Sequence, residues 1–172
     1  NGIYDAAQIE AAIRPDDIHE PPTGLICLEN ALANGRVVPL ETMREVQAVA
    51  QAHGIPVHMD GARLFHAALT LNEDVKALAG CVDSVSCCLS KGLCAPVGSV
   101  LCGSKAFIAR ARKYRKMLGG GMRQTGILCA AGILALTEMV PRLSEDHETA
   151  RYLAELLAQL PGVSVDLDSV QI

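Results

Sequence analysis

The sequence predicts an α/β fold: a mainly parallel sheet with helices on both faces. Three observations carry this expectation. Apolar runs of strand length recur at 25–28, 55–59, 84–89 and 97–102. The stretches between them place apolar residues at helical spacing, and Gly or Pro stands at the junctions. Alternation of the two kinds of element implies parallel strands with crossovers, and function at the C-terminal strand ends.

Taken in order, Asp5 to Ile13 predicts a short helix that stops before Pro15, because proline disfavours the α conformation in its predecessor. Pro21-Pro22-Thr23-Gly24 is a connector, and Leu25-Ile26-Cys27-Leu28 a buried strand. Asn34-Gly35 marks a turn. Met43, Val46, Val49 and Ala50 define the apolar side of a helix over 41–53, with Gly54 placed to cap it. A strand over Ile55 to Met59 follows, then helices over 61–71 and 72–79, and a strand over Ser84 to Leu89. Val97 to Cys102 is a further strand, and Lys105 to Leu118 a basic helix broken by Gly119-Gly120-Gly121. Gln124 to Val140 is apolar on nearly all sides, which predicts a buried helix. Ser144 to Leu160 is amphipathic with Ser144 as the expected N-cap, and Val163-Ser164-Val165 is expected to begin a strand.

Composition narrows the function classes. Half of the 172 residues are hydrophobic and 20% are charged, which excludes disorder as the main state. Fifteen basic residues face nineteen acidic ones, and aromatics make up 3% with no Trp. A nucleic-acid partner is therefore not expected, since it calls for a basic surface and stacking platforms. The basic helix reads as solvated or subunit-facing. None of the seven cysteines forms a C-x-x-C pair, so no metal site is expected, and the odd count fits reduced thiols in a cytoplasmic setting. No secretory pattern opens the chain. The longest apolar stretch, 127–136, meets Thr137-Glu138 before the ~20 residues of a span, so no membrane partner is expected. The Asn start and the β-branched ending at Val170-Gln171-Ile172 lead to the expectation of a piece cut from a longer polypeptide.

Three segments could carry chemistry, each beyond an apolar strand or at a helix start. His58-Met59-Asp60-Gly61-Ala62-Arg63 puts a carboxylate at a strand end, with an Arg one turn on. An N-cap Asp with a solvated Arg would read the same way. Lys91 directly follows a buried strand, where desolvation would free its amine for Schiff-base chemistry, unless the side chain simply snorkels from an edge. Gly119-Gly120-Gly121-Met122-Arg123 offers backbone N–H groups and a guanidinium to an anion, or serves as a flexible link. It lacks the Lys-Ser/Thr ending of a nucleotide-binding loop. His58 and His66 read as satisfied core residues, and Cys87-Cys88 as apolar filler.

Together the strings HMDGAR, SxxLSKGLxAPVGS (86–99) and GGGMRQTGILxAAG (119–132) resemble the low-specificity threonine aldolases, across almost the whole chain and in order. These are pyridoxal-phosphate enzymes of the β-eliminating lyase group with the aspartate-aminotransferase-like, fold-type I architecture. The resemblance implies that residues 1–142 are the central part of the large cofactor-binding domain. Residues 143–172 would be a linker helix and the start of a small C-terminal domain. It further implies that Lys91 holds pyridoxal phosphate covalently, that Asp60 faces the ring nitrogen, and that Arg63 lies near the ring and binds the substrate carboxylate. Arg123 would reach the cofactor phosphate, often across a subunit interface, which makes a homodimer or homotetramer the expected assembly. Glu29-Asn30 resembles the segment near substrate.

The implied reaction is cleavage of threonine or allo-threonine to glycine and an aldehyde. Another lyase or racemase chemistry on the same cofactor, or a truncated non-catalytic chain, are the other readings. Two departures from the family stand out. Ala31-Leu32-Ala33-Asn34 replaces the usual Thr-His after the Glu-Asn pair, so no residue is assigned as the base. Cys94 stands where Gly is more usual. The family's phosphate-binding loop and its second carboxylate-binding Arg are expected outside the chain, leaving half a site within it.

Overall fold

The computed structural model describes residues 3–170. Strands β1 (Ile26–Glu29), β2 (Val57–Asp60), β3 (Ser84–Cys88) and β4 (Ser99–Gly103) form one sheet in that spatial order. The pairs β1–β2 and β2–β3 are parallel, and β4 returns antiparallel to β3. The crossovers are α2 (Leu40–His53), then α3 (Leu64–Leu71) and α4 (Val75–Ala79), while α1 (Ala6–Ala12) packs on α2. The expected mainly parallel α/β sheet is therefore present.

Strand alternation sorts the side chains. Ile26, Leu28, Val57, Met59, Val85 and Cys87 are all buried, and the first five join Val46, Met43, Leu64 and Ala67 in the two cores between sheet and helices. Their neighbours Cys27, Glu29, His58, Asp60, Ser86 and Cys88 occupy the opposite, more open face. On that second face, α5 (Lys105–Met117) closes against the end of β4: a Cβ added to Gly103 would lie 2.7 Å from Phe107 Cδ1.

Local chemistry explains the element ends. The Asp5 side chain accepts from the Gln8 N–H at 2.7 Å, and Gln8 returns the bond in a capping box for α1. Gly54 (φ 65°) and Asn72 (φ 53°) end α2 and α3 in the left-handed conformation. Asp74 caps α4 and Ser104 caps α5 through side-chain acceptance of backbone N–H groups.

Three expectations are corrected. Residues 163–165 form no strand. They lead into a 3₁₀ turn at Leu167–Ser169 whose cap, Asp166, is held by Arg36 at 2.7 Å, and a β-branched run needs a free sheet edge to pair.

Secondly, α6 (Gly126–Leu134) is not buried: Ile127 is 84% exposed and Ile133 62%. Uniform hydrophobicity indicates that a helix is covered somewhere, and the described residues cover only Gly132 and Ala135 in this stretch.

Thirdly, the helical path does not break between Val140 and Ser144. It continues through a π turn (Ala135–Met139) and a 3₁₀ turn (Val140–Arg142) into α7 (Leu143–Leu157), giving 32 residues with a window apolar and long enough to span a membrane by composition. Ser144 lies inside α7, and its Oγ donates to the Pro141 carbonyl instead of capping. Ala135 and Leu143 fix this path in a third core with Leu89, Leu93 and Ala95.

Candidate functional site

The C-terminal edge of the parallel strands carries four of the five predicted residues. Glu29 and Asp60 end β1 and β2 as register partners, so both carboxylates share one face of the sheet. The Asn30 N–H donates to the Asp60 carbonyl at 3.1 Å and extends the ladder by one step. Asn30 itself is fully buried. Its Nδ2 donates to the Val38 carbonyl at 3.0 Å and its Oδ1 accepts the Val38 N–H at 3.1 Å, which pins the 31–38 loop beside Glu29.

Asp60 Oδ1 accepts the Ala62 N–H at 2.9 Å, turning the chain directly after the strand. The expected alternative, Asp60 as the N-cap of the next helix, does not occur, since Arg63 holds that position. Gly61 makes the turn possible: its N–H donates to the Ser86 carbonyl at 2.7 Å, and a Cβ there would meet Val85 Cγ2 at 2.9 Å. Glu29, Asp60 and Arg63 are all exposed.

Lys91 lies in the connection between β3 and β4. This turn is closed by Leu89 N–H to Gly98 O at 2.9 Å and Ala95 N–H to Leu89 O at 2.9 Å, with Leu93 and Ala95 anchored in the third core. Cys94 N–H donates to the Lys91 carbonyl at 2.8 Å, and Cys94 adopts φ 60°. That is left-handed backbone, which explains why glycine suits the position. Lys91 is exposed, so the desolvation expected from its place after a buried strand is not supplied by the described residues.

Arg123 stands apart, exposed on the segment between α5 and α6 after Gly119 (φ 91°), and makes no ion pair among the described residues. The chain therefore assembles Glu29, Asp60, Arg63 and Lys91 along one edge and carries Arg123 outside it.

The histidines divide. His58 Nδ1 meets Ser84 Oγ at 2.8 Å, a satisfied residue as expected. His66 is buried, Gly92, next to Lys91, rests on its ring, and its Nδ1 lies 2.9 Å from His147 Nε2. Burial is the main cause that holds both imidazoles below their usual range. Sequence reasoning passes over His147 because an amphipathic helix gives no sign of what its apolar side meets. All seven cysteines are free thiols, and burial raises Cys81 and Cys87.

An open groove of about 670 Å³ runs along α5 past Phe107, Tyr114 and Leu118, and none of the expected site residues lines it.

A lysine, two carboxylates and an arginine stand at the C-terminal ends of the parallel strands, the side of an α/β sheet on which ligand sites are built. The chain belongs to the β-eliminating lyase family, whose match covers residues 1–172. It is 49% identical over 175 residues to low-specificity L-threonine aldolase 1 of Arabidopsis thaliana, covering 99% of this chain and 49% of that protein. To the low specificity L-threonine aldolase of Escherichia coli K12 it is 45% identical over 159 residues, covering 92% and 47%. Among solved structures, a threonine aldolase of Leishmania major matches with a TM-score of 0.76 at 19% identity, covering 92% of this chain and 47% of that one, a likeness of fold. The chain thus spans about half the length of the curated relatives it matches.

Proposed function

We propose that this chain forms part of a pyridoxal-phosphate enzyme that cleaves β-hydroxy-α-amino acids of the threonine type to glycine and an aldehyde. The observation that carries the reading is the donor set at the sheet edge. The cofactor has an aldehyde, a basic ring nitrogen and a phosphate. An amine (Lys91), a carboxylate (Asp60) and a guanidinium (Arg63) at that edge match those groups, and Arg123 outside it offers a second guanidinium for the phosphate. Gly61 and Gly92 support the fit, because the chain beside both Asp60 and Lys91 is packed too closely to admit a Cβ.

Bound pyridoxal phosphate supplies an electron sink for the pair left on Cα when the Cα–Cβ bond breaks. The chain's own residues do the rest. Lys91 would hold the cofactor at its aldehyde through the side-chain amine. Asp60, by its negative charge, would favour a proton on the ring nitrogen. Arg63 would orient the substrate carboxylate through its N–H donors, Arg123 would bind the phosphate, and Glu29 would face the substrate.

A second reading, elimination or racemisation on the same cofactor, is favoured by one observation. Ala31 and Leu32 are buried in the core, so the segment that replaces Thr-His presents no group there to a β-hydroxyl.

The assembly is a homodimer or homotetramer, a reading supported by the exposed Met117, Leu118, Met122 and Ile127 on the segments flanking Arg123. We take residues 1–142 as large-domain and 143–172 as the connection to a small domain. The seven free thiols support a reducing, cytoplasmic location.

The test is borohydride reduction of the full-length protein, followed by digestion and mass analysis. The cofactor should be fixed to the peptide that contains Lys91, and a folded Lys91→Ala variant should retain none. Cofactor fixed elsewhere overturns the assignment.

A further inference from the structure

We propose that His66, bonded to His147, is a positioning residue that seats the Lys91 turn. The inference rests on the reading of Lys91 given above and deepens it. Three contacts carry it. A Cβ on Gly92 would collide with His66 Nε2, and it would come within 2.9 Å of His66 Cε1 and 2.8 Å of Leu143 Cδ2. The backbone next to Lys91 therefore sits on the His66 ring and on the first residue of α7. His66 Nδ1 and His147 Nε2 are 2.9 Å apart, with ring centroids at 5.1 Å and planes 11° apart. This contact ties α3, which starts just after Asp60, to α7, which lies under the turn.

The bridge has one hydrogen. At 2.9 Å one ring must donate and the other accept, because two N–H groups cannot face each other across that gap. The charged neighbours are Arg63 at the start of α3, which disfavours a proton on His66, and Asp146 on α7, which favours one on either ring. The turn above adds Lys91 and Cys94. His66 is 7% exposed, so a net charge on it is poorly solvated. A neutral N–H···N bridge is the state these surroundings favour. It resists sliding of α3 against α7 in a way that a purely apolar contact does not, because it is directional.

Two variants of the full-length protein separate positioning from packing. Gln at 147 keeps an acceptor for the His66 N–H, whereas Leu keeps the bulk and loses the bond. Amide exchange is measured on the cofactor-free protein at Cys94 and Ala95, whose N–H groups close the turn, with Met59 in β2 as the reference. In His147→Leu, exchange at Cys94 and Ala95 should rise about tenfold, the worth of one intramolecular hydrogen bond, with Met59 unchanged. In His147→Gln it should stay within about threefold of the wild type, and the His66 imidazole should titrate at higher pH, because no second imidazole competes for the proton and a carbonyl accepts the His66 N–H.

Equal effects of Gln and Leu, a rise at Met59 as large as at Cys94, or an unmoved His66 titration would each overturn the positioning role. In the loaded protein, His147→Leu should also release cofactor faster than His147→Gln. A loosened turn without faster release overturns the cofactor reading of Lys91 and leaves the His66–His147 bridge standing.

Discussion

Asn30 offers a sharp test of how the edge near Glu29 is held. Its side chain is fully buried and makes both of its backbone bonds to one residue, Val38, which is also fully buried. Asn30→Ala leaves the Val38 N–H and carbonyl without partners in a site that water does not reach. Each unsatisfied group costs about 1–3 kcal/mol, so the loss should be about 2–6 kcal/mol and independent of pH.

Asn30→Asp should behave differently. One introduced carboxyl oxygen can still accept the Val38 N–H, but the other faces the Val38 carbonyl, so the group must stay protonated to donate there. Its folded-state pKa is then raised above the unfolded value of ~3.9, and the unfolded chain releases the proton first as pH rises. The variant should be close to wild type near pH 4 and lose about 1.4 kcal/mol per pH unit above it, until the folded group itself ionises. Urea midpoints at several pH values for both variants check this. Parallel pH profiles, or a loss below ~1 kcal/mol in Asn30→Ala, would refute the hydrogen-bond account of the loop.

Cys94→Gly should stabilise by about 1 kcal/mol, because it relieves left-handed backbone at φ 60°, less the weak Sγ–H bond to the Gly92 carbonyl; thermal melting reads the sign. Gly61→Ala should destabilise by about 1–3 kcal/mol, since its Cβ would press on Val85 Cγ2 at 2.9 Å and the Ser86 carbonyl at 3.0 Å, and a wild-type melting curve would contradict this. Burial holds His66 and His147 below the ordinary imidazole range, so the unfolded chain takes up protons first as pH falls. Stability should be full above pH ~6.5 and decline below it, and His66→Asn should reduce that slope in acid urea titrations.

The parts legible in the sequence were those whose cause is local. The helix over 41–53 is found at Leu40–His53 because its apolar period and the Gly54 cap both lie within the segment. The strand over 84–89 is found at Ser84–Cys88 for the same reason. The strings around Asp60 and Lys91 were legible as a family pattern, and the parallel register then aligned Glu29 with Asp60.

What failed depends on surfaces remote in sequence. The 163–165 run has strand composition, but Arg36 and Asp166 draw the following residues into a turn. The helix after Gln124 has core composition, yet Ile127 is open to solvent. Ser144 has a capping side chain, but the helix was already running when the chain reached it. His66 was read as core, which it is. Its contact with Gly92 arises only when α3 folds beneath the β3–β4 connection.

The antiparallel return of β4 has a consequence for the order in which the edge is built. Pairing β3 with β4 closes a short loop, whereas pairing β1 with β2, or β2 with β3, waits for whole helices to cross over. Nearby partners meet with a smaller entropy loss than distant ones. The hairpin that carries Lys91 can therefore form early from local contacts, and the carboxylates of Glu29 and Asp60 come alongside it only when the crossovers close. On this account the amine is scaffolded by the most local part of the chain, and the acidic side of the site is the part that a slow or interrupted fold leaves unfinished.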